Sequence, residues 1–144
     1  LMSGDAGTML AESILTAGNP IGDVIFGIDN TFMQRAIEAN VLEQYESPQL
    51  EIVLDEFEID DLHYLTPIDF GDVCVNYWID SFPSNQPTKL SDLTQPQYAN
   101  QLVVQNPETS SPGLAFLNAY STRSTASSKV IINRVILGSV IVNF

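Results

Sequence analysis

Asp23-Val24-Ile25-Phe26-Gly27-Ile28-Asp29-Asn30-Thr31 is the stretch on which the reading of the fold turns. Val24, Ile25 and Phe26 favour extended backbone, and Gly27 bounds the run. A short apolar run of this kind suits a parallel strand covered on both faces. Asp29-Asn30 then opens a helix over about 31–39, with Phe32, Met33, Ala36 and Ile37 on one side. Asp29 or Asn30 is the candidate N-cap, because a short polar side chain there can accept the first free helical N–H groups. Strand, tight turn and helix together are the unit of an α/β protein.

The chain on either side fits the same class. Upstream, Gly4-Asp5-Ala6-Gly7-Thr8 reads as a turn whose glycines take positive φ at low cost. A helix over roughly 8–17 follows, with Met9, Leu10, Ile14 and Leu15 near helical spacing, and Gly18 and Pro20 end it. Downstream, residues 45–61 are acidic and weakly periodic. Asp55, Glu56, Glu58, Asp60 and Asp61 crowd together there without the spacing or central Gly of a calcium loop, so the segment reads as a solvated surface loop. A strand is expected over 72–78 and a second, short and buried, over Gln101-Leu102-Val103-Val104-Gln105. Between them, Pro83 and Pro87 mark a loop, and Ser91-Asp92-Leu93 caps a short helical turn. Asn106-Pro107-Glu108 turns the chain into Thr109-Ser110-Ser111-Pro112-Gly113, which starts a helix through Leu117, with Pro112 suited to the first helical position.

Charge narrows the function. The formal net charge of −13 argues against nucleic acid, whose binding relies on Lys and Arg to release counterions, and leaves a cationic ligand open. All 18 acidic residues lie between Asp5 and Glu108, while Arg123, Lys129 and Arg134 follow them. The last stretch is therefore compositionally distinct: Ser121 to Ser128 is low in complexity, and Val130 to Phe144 is rich in Val, Ile and Asn. Cys74 is the only cysteine, so no internal disulfide forms, and within Val73-Cys74-Val75 it reads as a small packed hydrophobe. His63 is the only histidine, which argues against a zinc site and against a Ser–His pair. Neither an enzyme nor a bound cofactor or metal is expected. No apolar run reaches the ~20 residues of a membrane span, and the first residues do not read as a signal peptide.

Asp5-Ala6-Gly7, Asp29-Asn30-Thr31 and Thr109-Ser110-Ser111 stand at matching places, each before a helix. In an open α/β sheet such turns collect where ligands bind. Free N–H groups and the partial positive charge at a helix start suit an anion, and Ser or Thr adds hydroxyl donors. Ser110 reads equally well as a plain N-cap. Phe70, Tyr77 and Trp78 are aromatic candidates for facing an organic cation, or for core.

Four stretches together resemble the thiamine-binding type of ABC transporter substrate-binding protein: Gly4 to Thr8, Asp23 to Thr31, Pro67 to Tyr77 (Pro-Ile-Asp-Phe-Gly-Asp-Val-Cys-Val-Asn-Tyr), and Asn106 to Leu114. The resemblance covers residues 3–118 and implies a periplasmic-binding-protein-like (type II) two-lobed α/β fold, with short mixed or parallel strands flanked by helices. Residues 1–70 would be part of the first lobe, 71–118 the hinge crossing and the start of the second, and 119–144 a divergent or aberrant tail. An opening strand expected before residue 1 is absent, and the family pattern stops at Leu117, so the chain is expected to be an incomplete version of the fold. The implied ligand-binding residues are Asp5, Ala6 and Gly7 from one wall, Asp29 and Asn30 at the next turn, Phe70 and Asp72 near the crossing, and Thr109, Ser110 and Ser111 facing the phosphate of a thiamine phosphate. The resemblance further implies thiamine or a phosphate ester as ligand, an inner-membrane ABC permease as partner, and a periplasmic or lipoprotein-anchored extracellular location. The same layout is shared by binders of ferric ion, polyamines and small anions, and a non-functional fragment is a third reading.

Overall fold

The apolar run after Asp23 forms a strand and the turn after it forms a helix, as the side-chain pattern requires. In the computed structural model, which describes residues 1–122 and the backbone of 131–142, these are β1 (Val24–Asp29) and α2 (Met33–Glu38). They follow α1 (Ala6–Leu15) and precede a two-residue strand, β2 (Leu42–Glu43). Further along come β3 (Thr66–Cys74), α3 (Ser111–Thr122) and β4 (Ile131–Val142). Short 3-10 turns occupy Leu50–Ile52, Asp55–Phe57, Ile79–Ser81, Leu90–Thr94 and Pro96–Tyr98.

The sheet departs from the expected parallel ladders. β1, β2 and β3 all pair antiparallel with β4, and no ladder joins them to one another among the described residues. β4 runs along β1 from Val24↔Ile141 to Asp29↔Leu137, and along β3 from Thr66↔Ser139 to Cys74↔Ile131. The three shorter strands therefore point the same way, as strands joined through helices do, with a reversed strand between them. The segment expected to be a divergent tail thus contains the strand to which the others bond.

β1 is not covered on both faces. Ile25 and Ile28 are buried, whereas Val24 and Phe26 are exposed, with the register shifting at Gly27 (φ 98°). Burial on one side and a bulge in the middle mark a strand with a single packed face. On that face Leu10 of α1 and Phe32 and Ala36 beside and within α2 join Ile25, Ile28, Val41, Leu42 and Leu65 in one apolar cluster, with Leu114 of α3 at its margin. Leu10, Ile28 and Ala36 are wholly buried there, and a Leu or Ile side chain contributes about 1.5–3 kcal/mol by leaving water.

Two other expectations need correction. Gln101 to Gln105 forms no strand: Leu102, Val103 and Val104 are exposed, Val103 by 94%. Their β-favouring side chains lack a neighbouring ladder, and an unpaired strand gains nothing over water. Cys74 is exposed at the end of β3 rather than packed. The acidic segment 45–61 is largely exposed, as its composition requires, but Asp60 has a structural task. Its Oδ1 accepts from the Leu62 N–H at 3.1 Å and its Oδ2 from those of Tyr64 and Leu65 at 2.6 and 3.0 Å, which fixes the turn that leads into β3.

Among the described residues no helix is long and apolar enough to cross a membrane.

Candidate functional site

Two helix starts meet at one segment of chain. The Gly7 N–H, in the first turn of α1, donates to the Thr109 carbonyl at 3.0 Å. A Cβ on Gly7 would lie 2.8 Å from Thr109 Cα and collide with the Glu108 carbonyl. One on Gly113, at the start of α3, would lie 2.5 Å from the Gln105 carbonyl oxygen and 3.0 Å from the Asn106 carbonyl carbon. Both glycines are therefore needed for close approach, and neither takes positive φ, as Gly27 does. The expected reason for Gly7, a left-handed turn, gives way to a steric one.

Between these starts and β3 lies a cleft of about 430 Å³, lined by Asp5, Ala6, Gly27, Asp69 to Val73, Gln105 and Ser110 to Pro112. That volume is in the range of small-molecule sites, roughly 300–1,000 Å³. The structure thus brings Asp5, Ala6, Phe70, Asp72, Ser110 and Ser111 to one cavity, although they lie far apart in the chain. Gly7 and Thr109, expected at the ligand, do not line it and instead join the starts of α1 and α3 through their backbone hydrogen bond.

Asp29 and Asn30 do not line the cleft. Asp29 is fully buried, and its Oδ1 accepts from Thr31 N (2.7 Å), Thr31 Oγ1 (2.5 Å) and Phe32 N (3.2 Å). It caps the turn before α2, whose own N-cap is Phe32 rather than the expected Asp29 or Asn30, and among the described residues its Oδ2 has no hydrogen-bond partner. Asn30 is half-buried at the same turn. Tyr77 and Trp78 also lie outside this cleft: Tyr77 borders a separate apolar groove with Phe82, Tyr98 and Phe116, and Trp78 is 84% exposed. Phe70 is the aromatic at the cleft, half-exposed and stacked on Phe57 with centroids 4.4 Å apart.

Ser110 is the N-cap of α3. Its Oγ accepts from the Gly113 N–H at 3.2 Å and donates to Gln105 Oε1, and its carbonyl accepts from Leu114 N at 2.9 Å. Ser111 takes the first helical position, one before Pro112, because the cap sits at Ser110. Asp5 precedes α1 with its carboxylate making no cap hydrogen bond, and among the described residues Asp69 accepts from the adjacent Phe70 N–H, at 2.7 Å. Asp5, at the start of α1, together with Asp69 and Asp72, gives the cleft an acidic lining beside the two helix starts. Among the described side chains lining it none is basic. Two lining residues were not among the expected ligand contacts: Gln105, read as the end of a buried strand, and Asp69, which lies within the Pro67 to Tyr77 stretch. The single histidine, His63, borders a different hollow beside Tyr45 and Thr66.

A model of the bacterial extracellular solute-binding protein family matches residues 19–131, which includes β1, β3 and the Thr109 turn. No curated protein matches the chain.

Proposed function

The chain belongs to the bacterial extracellular solute-binding protein family, and on that premise we propose that it captures thiamine or a thiamine phosphate in the cleft between α1, α3 and β3 and passes it to an ABC permease without chemistry. The observation that carries this reading is the convergence of Asp5, Phe70, Asp72 and Ser111 on one cavity of small-molecule size. Thiamine is an organic cation. Carboxylates and an aromatic ring are the groups that hold one, the ring contributing about 0.5–2 kcal/mol. In this reading residues 1–70 belong to one lobe and 71–118 begin a second that closes over the ligand, with export to the periplasm or the cell surface.

Calorimetric titration with thiamine, backed by thermal unfolding, tests the proposal. Ligand at a hundredfold excess over Kd should add ~2.7 kcal/mol to stability and raise the transition temperature by several degrees. A flat titration and an unmoved transition would remove thiamine as the ligand. The acidic lining favours a polyamine as the second reading, and spermidine in the same titration distinguishes it. A ferric ion fits less well, because no group of three or more His, Cys, Asp or Glu is close enough to hold a metal among the described residues.

A further inference from the structure

Gln101-Leu102-Val103-Val104-Gln105 reads almost the same in both directions, with Val103 at its centre. All five residues are exposed, Val103 almost completely. Among the described residues no backbone group pairs with the N–H or C=O of Leu102, Val103 or Val104. A run of β-favouring side chains with unpaired backbone is a template for another strand. Beside it lies the apolar groove of about 390 Å³ bordered by Tyr77, Phe82, Tyr98 and Phe116, which gives an added strand apolar cover.

Charge and sequence symmetry decide what that strand is. The net charge of −13 drives copies of this chain apart over most of its surface. From Leu93 to Pro107, however, there is no charged side chain, so two copies can approach here without opposing like charges. Antiparallel pairing about Val103 sets Val103 opposite the same residue of the second copy, Leu102 opposite Val104, and Gln101 opposite Gln105. Every apolar side chain then meets an apolar one and every amide an amide, the kind of match that stabilises cross-strand pairs. A slip of one residue sets a glutamine opposite an apolar side chain, so the register is specified. The same patch serves both partners, which closes the assembly at two.

We infer that Gln101 to Gln105 is a self-recognition edge, through which two copies of this chain form a dimer by antiparallel strand pairing about Val103. The inference stands apart from the identity of the solute.

Sedimentation velocity of the full chain, from low-micromolar to near-millimolar concentration, tests it. The mass should rise from that of one chain to that of two. Val103→Lys and Val103→Glu each set like charges opposite one another at the symmetry axis and should weaken association roughly tenfold. An equal mixture of the two variants should recover it, because the new ammonium then faces the new carboxylate. Val103 is exposed enough for both changes to leave the monomer folded, with circular dichroism and thermal unfolding unchanged at low concentration. Ile52→Lys, at the exposed apolar hollow beside His63, should leave association as it is. A chain that stays monomeric at every concentration overturns the inference, and does so equally if it takes up an extended apolar peptide at this edge, since the occupant is then another partner. Association that survives both Val103 variants, that their mixture fails to recover, or that is lost in Ile52→Lys overturns it too.

Discussion

Gly7 and Gly113 grip the segment Gln105 to Thr109 from two sides, and neither position has room for a methyl group. Gly7→Ala should therefore push α1 off the Thr109 carbonyl. Overpacking of this kind costs about 1–3 kcal/mol, and chemical denaturation would read it as a lower midpoint with an unchanged slope. Asp29 makes the opposite case, a residue chosen for what it accepts. Asp29→Ala strands the Thr31 N–H and hydroxyl and leaves the Phe32 N–H only its bond to the Asp29 carbonyl. A loss of about 2–3 kcal/mol is expected in the same assay, because unsatisfied buried donors cost more than the bonds themselves are worth. Asp29→Asn keeps an acceptor at Oδ1 and should lose much less. If the two variants lose equally, the capping role assigned to Oδ1 is wrong. That Asp29 would accept backbone N–H groups before α2 was legible in the sequence, although it caps the preceding turn and the helix's own N-cap is Phe32. That it would be too deep to touch a ligand was not, because depth depends on what packs over the turn.

Among the elements, β4 has the widest consequences. Its two edges carry every ladder of the described sheet: β1 on one, β2 and β3 on the other. Removing residues 123–144 should leave three strands without a partner. Loss of the strand signal in far-ultraviolet circular dichroism and of a cooperative thermal transition is expected. A truncated chain that still unfolds cooperatively would show that α1, α2 and β1 hold together by the apolar cluster alone. The turn Leu90–Thr94 offers a local test of electrostatics. The Thr88 N–H, then its hydroxyl and the Lys89 N–H with its charge, hold the Asp92 carboxyl below the ordinary aspartate value, against a smaller opposing effect of desolvation. A depressed folded-state value means that the stabilisation is present above the unfolded value and lost as pH falls through the folded one. The amides of Thr88 and Lys89 should then shift in an NMR titration below the usual aspartate range, while neutral and alkaline pH leave them unmoved.

For the whole molecule, local pattern and long-range arrangement separate cleanly. Short-range signals determined α1, β1, α2 and the start of α3, because helical spacing, a polar cap and a glycine act within a few residues of themselves. They also determined the polar, exposed character of 45–61 and the capping of α3 by Ser110. The same reasoning gave Gln101 to Gln105 a strand it does not form and Cys74 a packed place it does not have, since β-propensity has effect only when a second strand supplies hydrogen bonds and cover. The antiparallel sense of the ladders, the single packed face of β1 and the assembly of the cleft were decided in three dimensions. Asp5, Phe70 and Ser111 carry no mark in the sequence that joins them. They share a cavity because two glycines without side chains let α1 and α3 close on one piece of backbone, and because β3 runs alongside it. Residue identity determined what each turn can offer a ligand, and only packing determined which turns face it together.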